Sequence, residues 1–203
     1  MSLFISDQRK KQIRDSLNIS EDTVLVLYLP THRKEGNDSS VYTKSLELSK
    51  YDNVLHHHNI QFIIKPHFYD IDNFRLFKDS SSIKVLFDLD IDLYELLASS
   101  DALVTDYSSV FFDYELLRKP IFIFPFDLDE YIASDRGMYF DPHFIFNNLN
   151  HTLVVNSLDE LVESCIALNN FDSSAFKDNK GLFNEIIDIN PEVILHKIKH
   201  LLN

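Results

Sequence analysis

IDLYELLASSDALVTDYSSVFFDYELLRKPIFIFPFDLD, residues 91–129, decides the fold. Leucines at helical spacing run into the apolar segment ALVT, residues 102–105, which has the length and composition of a short strand. The turn Asp106-Tyr107-Ser108 follows, a second helix starts at Ser109, and Pro120 opens another apolar strand over residues 121–124. This is one β-α-β unit. Two serines stand where its strand hands over to its helix, so their hydroxyls and the first unpaired helix N–H groups share one space. Such a spot favours an anion, most naturally a phosphate.

The flanking sequence repeats the alternation. Residues 23–29, TVLVLYL, form the near-continuous apolar run of a parallel strand covered on both faces, and Pro30 stops it. The polar stretch THRKEGNDSS, residues 31–40, is a loop at its carboxyl end. A helix is predicted over 41–58, a strand over 61–65 ended by Pro66, a short helix over 72–79 and a strand over 83–87. Beyond the central unit come a loop over 125–141 too long for a mere connector, a strand over 153–155 and a helix over 156–168 with Ser157 as cap and Glu160 three further on. At the ends, residues 7–18 read as a helix capped by Asp7 that packs Ile13 and Leu17 against the sheet edge. Residues 192–202 read as an amphipathic helix after Pro191, with Ile194, Ile198 and Leu201 on one face. The whole pattern predicts α/β architecture, a doubly wound Rossmann-like parallel sheet in a single domain over 1–203.

Composition narrows the function classes. The chain has 203 residues, 45% hydrophobic and 13% aromatic, enough for one full core. No apolar run approaches a membrane span and no signal peptide opens the chain, so a soluble, cytosolic protein is expected. Met1-Ser2-Leu3 reads as a vector-derived start, which fits a piece of a longer protein. A net charge of -13 argues against a nucleic-acid or anionic-membrane surface across the whole molecule, so any anion site must be local. Cys165 is the single cysteine and reads as a small buried hydrophobe. With three glycines and no G-x-G-x-x-G, a dinucleotide site of the usual kind is not expected.

Two clusters invite a metal reading. His56-His57-His58 point in different directions on a helix and cannot share one ion, so they are expected at a solvated helix end. Asp88, Asp90 and Asp92 alternate, which could suit a hard cation. The plainer reading has Asp92 capping the helix at Leu93, with Glu95 completing a capping box. No metal and no cofactor are expected.

TDYSSVFFDYELLRKPIFIFPFDLDEY followed by RGMYFD strongly resembles the C-terminal half of the CDP-glycerol glycerophosphotransferases, the polymerases and primases of teichoic acids. VLYLPTHR and IIKPHF resemble two further blocks in the same order, so the resemblance spans residues 23–141. It implies the C-terminal, donor-binding half of a GT-B-like transferase, acting on CDP-glycerol and on a polymer or lipid-linked acceptor. The implied reaction is attack of an acceptor hydroxyl on the β-phosphorus with loss of CMP. The acceptor half, with a second histidine, would lie N-terminal to these residues, so this unit alone should not turn over unassisted. The full enzyme would be peripheral at the inner membrane face. Two departures stand out. The family's Lys-x-His-Pro block here has Pro66 before His67 and Phe68 after it, and a Pro-Gly often found after RGMYFD is replaced by DPHFIF.

In a doubly wound sheet, ligands bind outside the carboxyl ends of the strands. Thr31, Arg33, Lys65, His67, Asp106, Ser108, Ser109 and Arg136 all fall there. Ser108 and Ser109 are candidates for the donor diphosphate; a plain helix cap would explain Ser108 and leave Ser109 unaccounted for. Arg33 and Arg136 are candidates to neutralise phosphate, against a surface ion pair as the plainer role. Lys65 either assists or caps the rim. Asp113, one turn along the helix, either accepts ribose hydroxyls or is a solvated charge. The resemblance implies a catalytic role for His67, as general base or as donor to the leaving phosphate. Two rival readings remain: a nucleotide-sugar domain of a GT-B glycosyltransferase, and a non-catalytic phosphate-binding module in which Asp88, Asp90 and Asp106 hold magnesium.

Overall fold

The computed structural model describes residues 3–33, 39–87, 91–133, 146 and 151–170. Its strands are β1 (Val24–Leu29), β2 (Ile60–Ile64), β3 (Ile83–Val85), β4 (Ala102–Thr105), β5 (Ile121–Ile123) and β6 (Thr152–Val154). Its helices are α1 (Asp7–Ser16), α2 (Ser39–Leu48), α3 (Asp52–His57), α4 (Ile71–Phe74), α5 (Leu93–Ser99), α6 (Val110–Glu115), α7 (Leu128–Ala133) and α8 (Leu158–Ala167). The sheet has the order β3-β2-β1-β4-β5-β6 and every pairing is parallel. This is the doubly wound, Rossmann-like arrangement that the alternation predicts. The chain winds one way from β1 to β3 and the other way from β4 to β6, so the loops after β1 and β4 part at a switch point.

The side-chain alternation of β1 explains the two layers. Leu25, Leu27 and Leu29 face a cluster with Ile13 and Leu17 of α1, Leu96 and Leu97 of α5, and Phe111 and Tyr114 of α6. Val26 and Tyr28 face the opposite cluster, with Val41 and Leu48 of α2, Leu55 of α3, Phe74 of α4, and Leu161 and Cys165 of α8. Both faces are apolar because both are covered. Cys165 is fully buried as expected, and burial pushes its thiol well up.

Several local expectations need correction. Helix α1 lies on the face of the sheet beside central β1, not at its edge, because Ile13 and Leu17 join the Leu25 and Leu27 cluster. Ser6 rather than Asp7 caps it, accepting from the Arg9 amide at 3.2 Å. The single helix expected over 41–58 breaks at a 3₁₀ turn, Ser49–Tyr51. There the Ser45 and Ser49 hydroxyls donate to carbonyls four residues back, which competes with the helical ladder. Asp52 then restarts the helix while its carboxylate holds Ser80 and the Ser82 amide at 2.6 and 2.7 Å. The helix expected over 72–79 shrinks to the four residues of α4, and α7 forms inside the stretch read as loop.

Asp92 caps α5, accepting from the Tyr94 amide at 2.9 Å. Glu95 does not close the box; its carboxylate grips Arg9 of α1 at 2.6 and 3.0 Å. At α8 Ser157 caps as expected, accepting from the Glu160 amide, and the Glu160 carboxylate reaches back to the Asn156 amide, one residue before the cap rather than the cap's own. His56 and His57 end α3 exposed to solvent, as expected. Asp88, Asp90 and the helix read over 192–202 lie outside the described residues.

The burial pattern predicts where truncation hurts. Leu103→Ala in β4 is expected to cost about 3 kcal/mol in urea unfolding, whereas Leu153→Ala in edge strand β6, half exposed, is expected to cost less than about 0.5 kcal/mol.

Candidate functional site

The carboxyl ends of β1, β2 and β4 bring the predicted residues to one rim. Register fixes this: Tyr28 pairs with Ile64 and Leu29 with Thr105, so Thr31, Lys65 and Asp106 leave the sheet at one edge. The Lys65 amide donates to the Tyr28 carbonyl at 2.9 Å, and the Lys65 side chain is partly exposed two residues before His67.

Arg33 is the centre of the rim, but not as a surface cation. It is 4% exposed. Its Nε and Nη2 form a fork on Asp127 at 2.7 and 2.8 Å, Nη2 also donates to Asp106 Oδ2 at 2.8 Å, and Nη1 donates to the Thr31 carbonyl. The rings of Tyr107, Phe126 and Tyr131 enclose the guanidinium at 4.9 to 5.3 Å, a cation–π cage. Burial by itself lowers the guanidinium's pKa, but the two carboxylates outweigh it, and Arg33 stays charged.

Asp106 is equally committed. Its Oδ1 accepts from the amides of Thr31 and Tyr107 at 2.9 and 2.6 Å and from the Thr31 hydroxyl; Oδ2 takes Arg33. Tyr107 donates its hydroxyl to Asp127 at 2.8 Å, and burial, with Asp127's charge next, pushes that phenol well up, so it remains a donor. These bonds set Arg33 and Asp106 apart from the other candidates: they tie the loops after β1, β4 and β5 together and turn their charges on each other and on Asp127. One arginine against two aspartates leaves this cluster net negative. The magnesium reading loses Asp106, whose oxygens are saturated by protein donors.

The serines divide as their positions suggest. Ser108 Oγ accepts from the Val110 amide at 3.3 Å, a turn-type cap, while Ser109 occupies the cap position of α6, makes no side-chain cap bond and is exposed. Asp113 lies in α6 with its carboxylate 3.5 Å from the Tyr94 hydroxyl of α5.

His67 follows β2 and is exposed. Its Nδ1 accepts from the Tyr69 amide at 3.3 Å, capping the 3₁₀ turn Phe68–Asp70, so its neutral ring carries the proton on Nε2. Pro66 and Phe68, the altered neighbours, therefore frame an ordinary capped turn. Beside it stands His32, a residue of the PTHR block that the sequence reading passed over. His32 Nδ1 lies 2.7 Å from Asp70 Oδ1, and Asp70 is 3% exposed. The His32 and His67 rings stack at 5.5 Å and 23°, and Tyr69 covers His67 at 5.3 Å. The ligand atoms of His32, His67 and Asp70 lie within 4.8 Å of one another, the one such group among the described residues that could meet a cation. Here the Asp70 carboxylate is instead engaged by the His32 ring. Arg136 lies outside the described residues.

No helix among the described residues is long and apolar enough to cross a membrane. The sequence profile of the CDP-Glycerol:Poly(glycerophosphate) glycerophosphotransferase family matches residues 3–191. The teichoic acid poly(glycerol phosphate) polymerase of Bacillus spizizenii is 34% identical over 137 residues, covering 64% of this chain and 33% of that protein. The teichoic acid ribitol-phosphate primase of the same organism is 34% identical over 119 residues, covering 57% and 29%. In fold, the chain is similar to the wall teichoic acid polymerase TagF, with a TM-score of 0.67, 24% identity, and coverage of 84% of this chain and 41% of that one. A TagF variant soaked with CDPG has the same fold. The chain thus spans about a third of the length of these curated relatives.

The buried hub makes a stability prediction. Arg33→Met leaves Asp106 and Asp127 uncompensated and is expected to cost about 3 to 5 kcal/mol in urea unfolding. Tyr107→Phe removes one hydrogen bond to Asp127 and should cost about 1 kcal/mol. Equal, small losses from both would show that the rim does not depend on the pair.

Proposed function

The chain belongs to the CDP-glycerol:poly(glycerophosphate) glycerophosphotransferase family, and from that footing we propose that it is the donor-binding unit of such an enzyme. The donor is a nucleotide-activated polyol phosphate, CDP-glycerol first, and the reaction is transfer of glycerol phosphate to a growing teichoic-acid-like or capsular polymer with release of CMP. The acceptor site is supplied by a part of the enzyme beyond these residues, and the enzyme works at the cytoplasmic face of the membrane.

One observation carries this reading. The loops after β1, β2 and β4 bring Thr31, Lys65, His67, Ser108 and Ser109 to one rim at the switch point, where a doubly wound sheet takes its ligands. The attacking hydroxyl forms a bond to the β-phosphorus and loses its proton to solvent or to a base beyond these residues, while the bond to the bridging oxygen breaks with its electron pair leaving on CMP. A phosphate with a second pKa near 6 leaves without needing a full proton, so stabilisation of charge matters most. His67, whose Nδ1 accepts from the Tyr69 amide, carries its proton on Nε2 in the neutral ring and so suits a donor to the diphosphate better than a base. Ser109 with the first amides of α6, and Lys65, would hold further phosphate oxygens; Asp113 would accept from ribose, and Arg136 would close on the phosphates. Arg33 and Asp106 act as positioning residues.

A second donor, CDP-ribitol, has support from the 34% identity to a ribitol-phosphate primase. Calorimetric titration with CDP-glycerol, CDP-ribitol, CDP, UDP and UDP-sugars separates the readings. CDP and its polyol conjugates should bind at least tenfold tighter than uridine nucleotides, with or without chelator. Ser108→Ala with Ser109→Ala should weaken CDP about tenfold, the worth of one or two charge-assisted bonds. A preference for uridine would support the glycosyltransferase alternative, and loss of binding on chelation would support the magnesium module. The chain alone should show at most trace polymer synthesis.

A further inference from the structure

We propose that Tyr94, in the first turn of α5, reads the sugar of the donor: its hydroxyl and the carboxylate of Asp113 together hold the vicinal diol of the ribose. The inference rests on the donor-binding reading and adds to it a residue and a discrimination, for ribose against a sugar without those hydroxyls.

Local sequence carries Tyr94 to this place. Asp92 caps α5 by accepting from the Tyr94 amide at 2.9 Å, which fixes the first turn of the helix. The next residue, Glu95, is taken by Arg9 of α1. The half-buried Tyr94 ring packs against the apolar cluster that Val110 and Phe112 of α6 also border, and its hydroxyl lies 3.5 Å from Asp113 Oδ2. Two helices thus meet with a phenol facing a carboxylate.

That contact does little as a tie between the helices. At 3.5 Å it stands at the outer limit of a hydrogen bond, where the attraction is weak. The two helices are joined elsewhere, through the buried hydroxyls of Ser100 and Tyr114 at 3.0 Å. Among the described residues Tyr94 is the one side-chain partner of the Asp113 carboxylate, and both residues are partly open to solvent. A carboxylate only accepts, so it needs donors from a ligand. A diol supplies them: one hydroxyl donates to Asp113 while accepting from Tyr94, and its neighbour donates to the other carboxylate oxygen. The spacing agrees. Asp113 comes four residues after Ser109, on the order of 6 Å along the helix axis, so a nucleotide whose phosphate meets Ser109 has its ribose one turn further on. A second phosphate would be repelled there, whereas a neutral diol is not.

Calorimetric titration of the chain with CDP and with 2′,3′-dideoxy-CDP tests this. The wild type should bind CDP about tenfold tighter or more, the worth of hydrogen bonds to a charged group. Tyr94→Phe, which keeps the packed ring, should weaken CDP about fivefold and leave the dideoxy ligand within about twofold of its wild-type affinity. Asp113→Ala should bring the two ligands level. A thermal melt identifies any variant that fails to fold, and Tyr94→Phe, which loses a single oxygen atom, carries the test. If Tyr94→Phe weakens both ligands alike, or neither, the hydroxyl does not read the diol and the inference falls. Equal binding of the two ligands by the wild type also removes the inference and leaves the donor reading standing. Tighter binding of UDP than of CDP, with CDP alone still weakened by Tyr94→Phe, keeps the ribose contact and removes the cytidine reading. Binding of neither CDP nor its dideoxy form removes both.

Discussion

Arg33 is a charge placed where water cannot reach it, and the rim is arranged around that fact. A buried guanidinium is tolerated only when its donors are met, and here a carboxylate fork, a second carboxylate, a backbone carbonyl and three aromatic rings meet them. Because these partners come from the loops after β1, β4 and β5, one side chain locks three otherwise independent connections. The switch point of a doubly wound sheet is a natural crevice, and the hub sets its floor.

That floor has a consequence for recognition. Arg33 and Asp106 spend their charge on holding the loops, so on the donor-binding reading the groups left to meet an anion are those on the surface of the rim. Ser109, Lys65 and His67 lie on that surface, and the loop after β1 sets His32 against Asp70 of the turn after β2. The site is a rigid, slightly acidic base carrying a small set of adaptable donors. On the donor-binding reading proposed above, such a base would suit a diphosphate held during transfer and released afterwards as CMP.

Much of the fold was legible because its signals are local. The apolar run of β1, the alternation of strands with helices, and Pro30, Pro66 and Pro120 at strand boundaries placed the sheet. The caps at Asp92 and Ser157 were readable from spacing alone. What escaped was set by partners distant in sequence. Glu95 fits a capping box, yet Arg9, 86 residues away, claims it. Arg33 sits among charged neighbours and looks solvated, and only Asp127, 94 residues on, reveals it as a core residue. His32 was hidden beside the more conspicuous Thr31 and Arg33, and Asp70 gave no sign until the turn after β2 brought the two together.

The central claim is that this rim seats the diphosphate of a cytidine nucleotide above an unmoved Arg33 hub. A crystal structure of the chain with CDP tests it most directly. The account predicts the β-phosphate within about 3 Å of His67 Nε2 and against the start of α6, with Arg33 still bound to Asp106 and Asp127. A nucleotide bound at the opposite edge of the sheet, or an Arg33 swung out of its cage onto the phosphates, would contradict it.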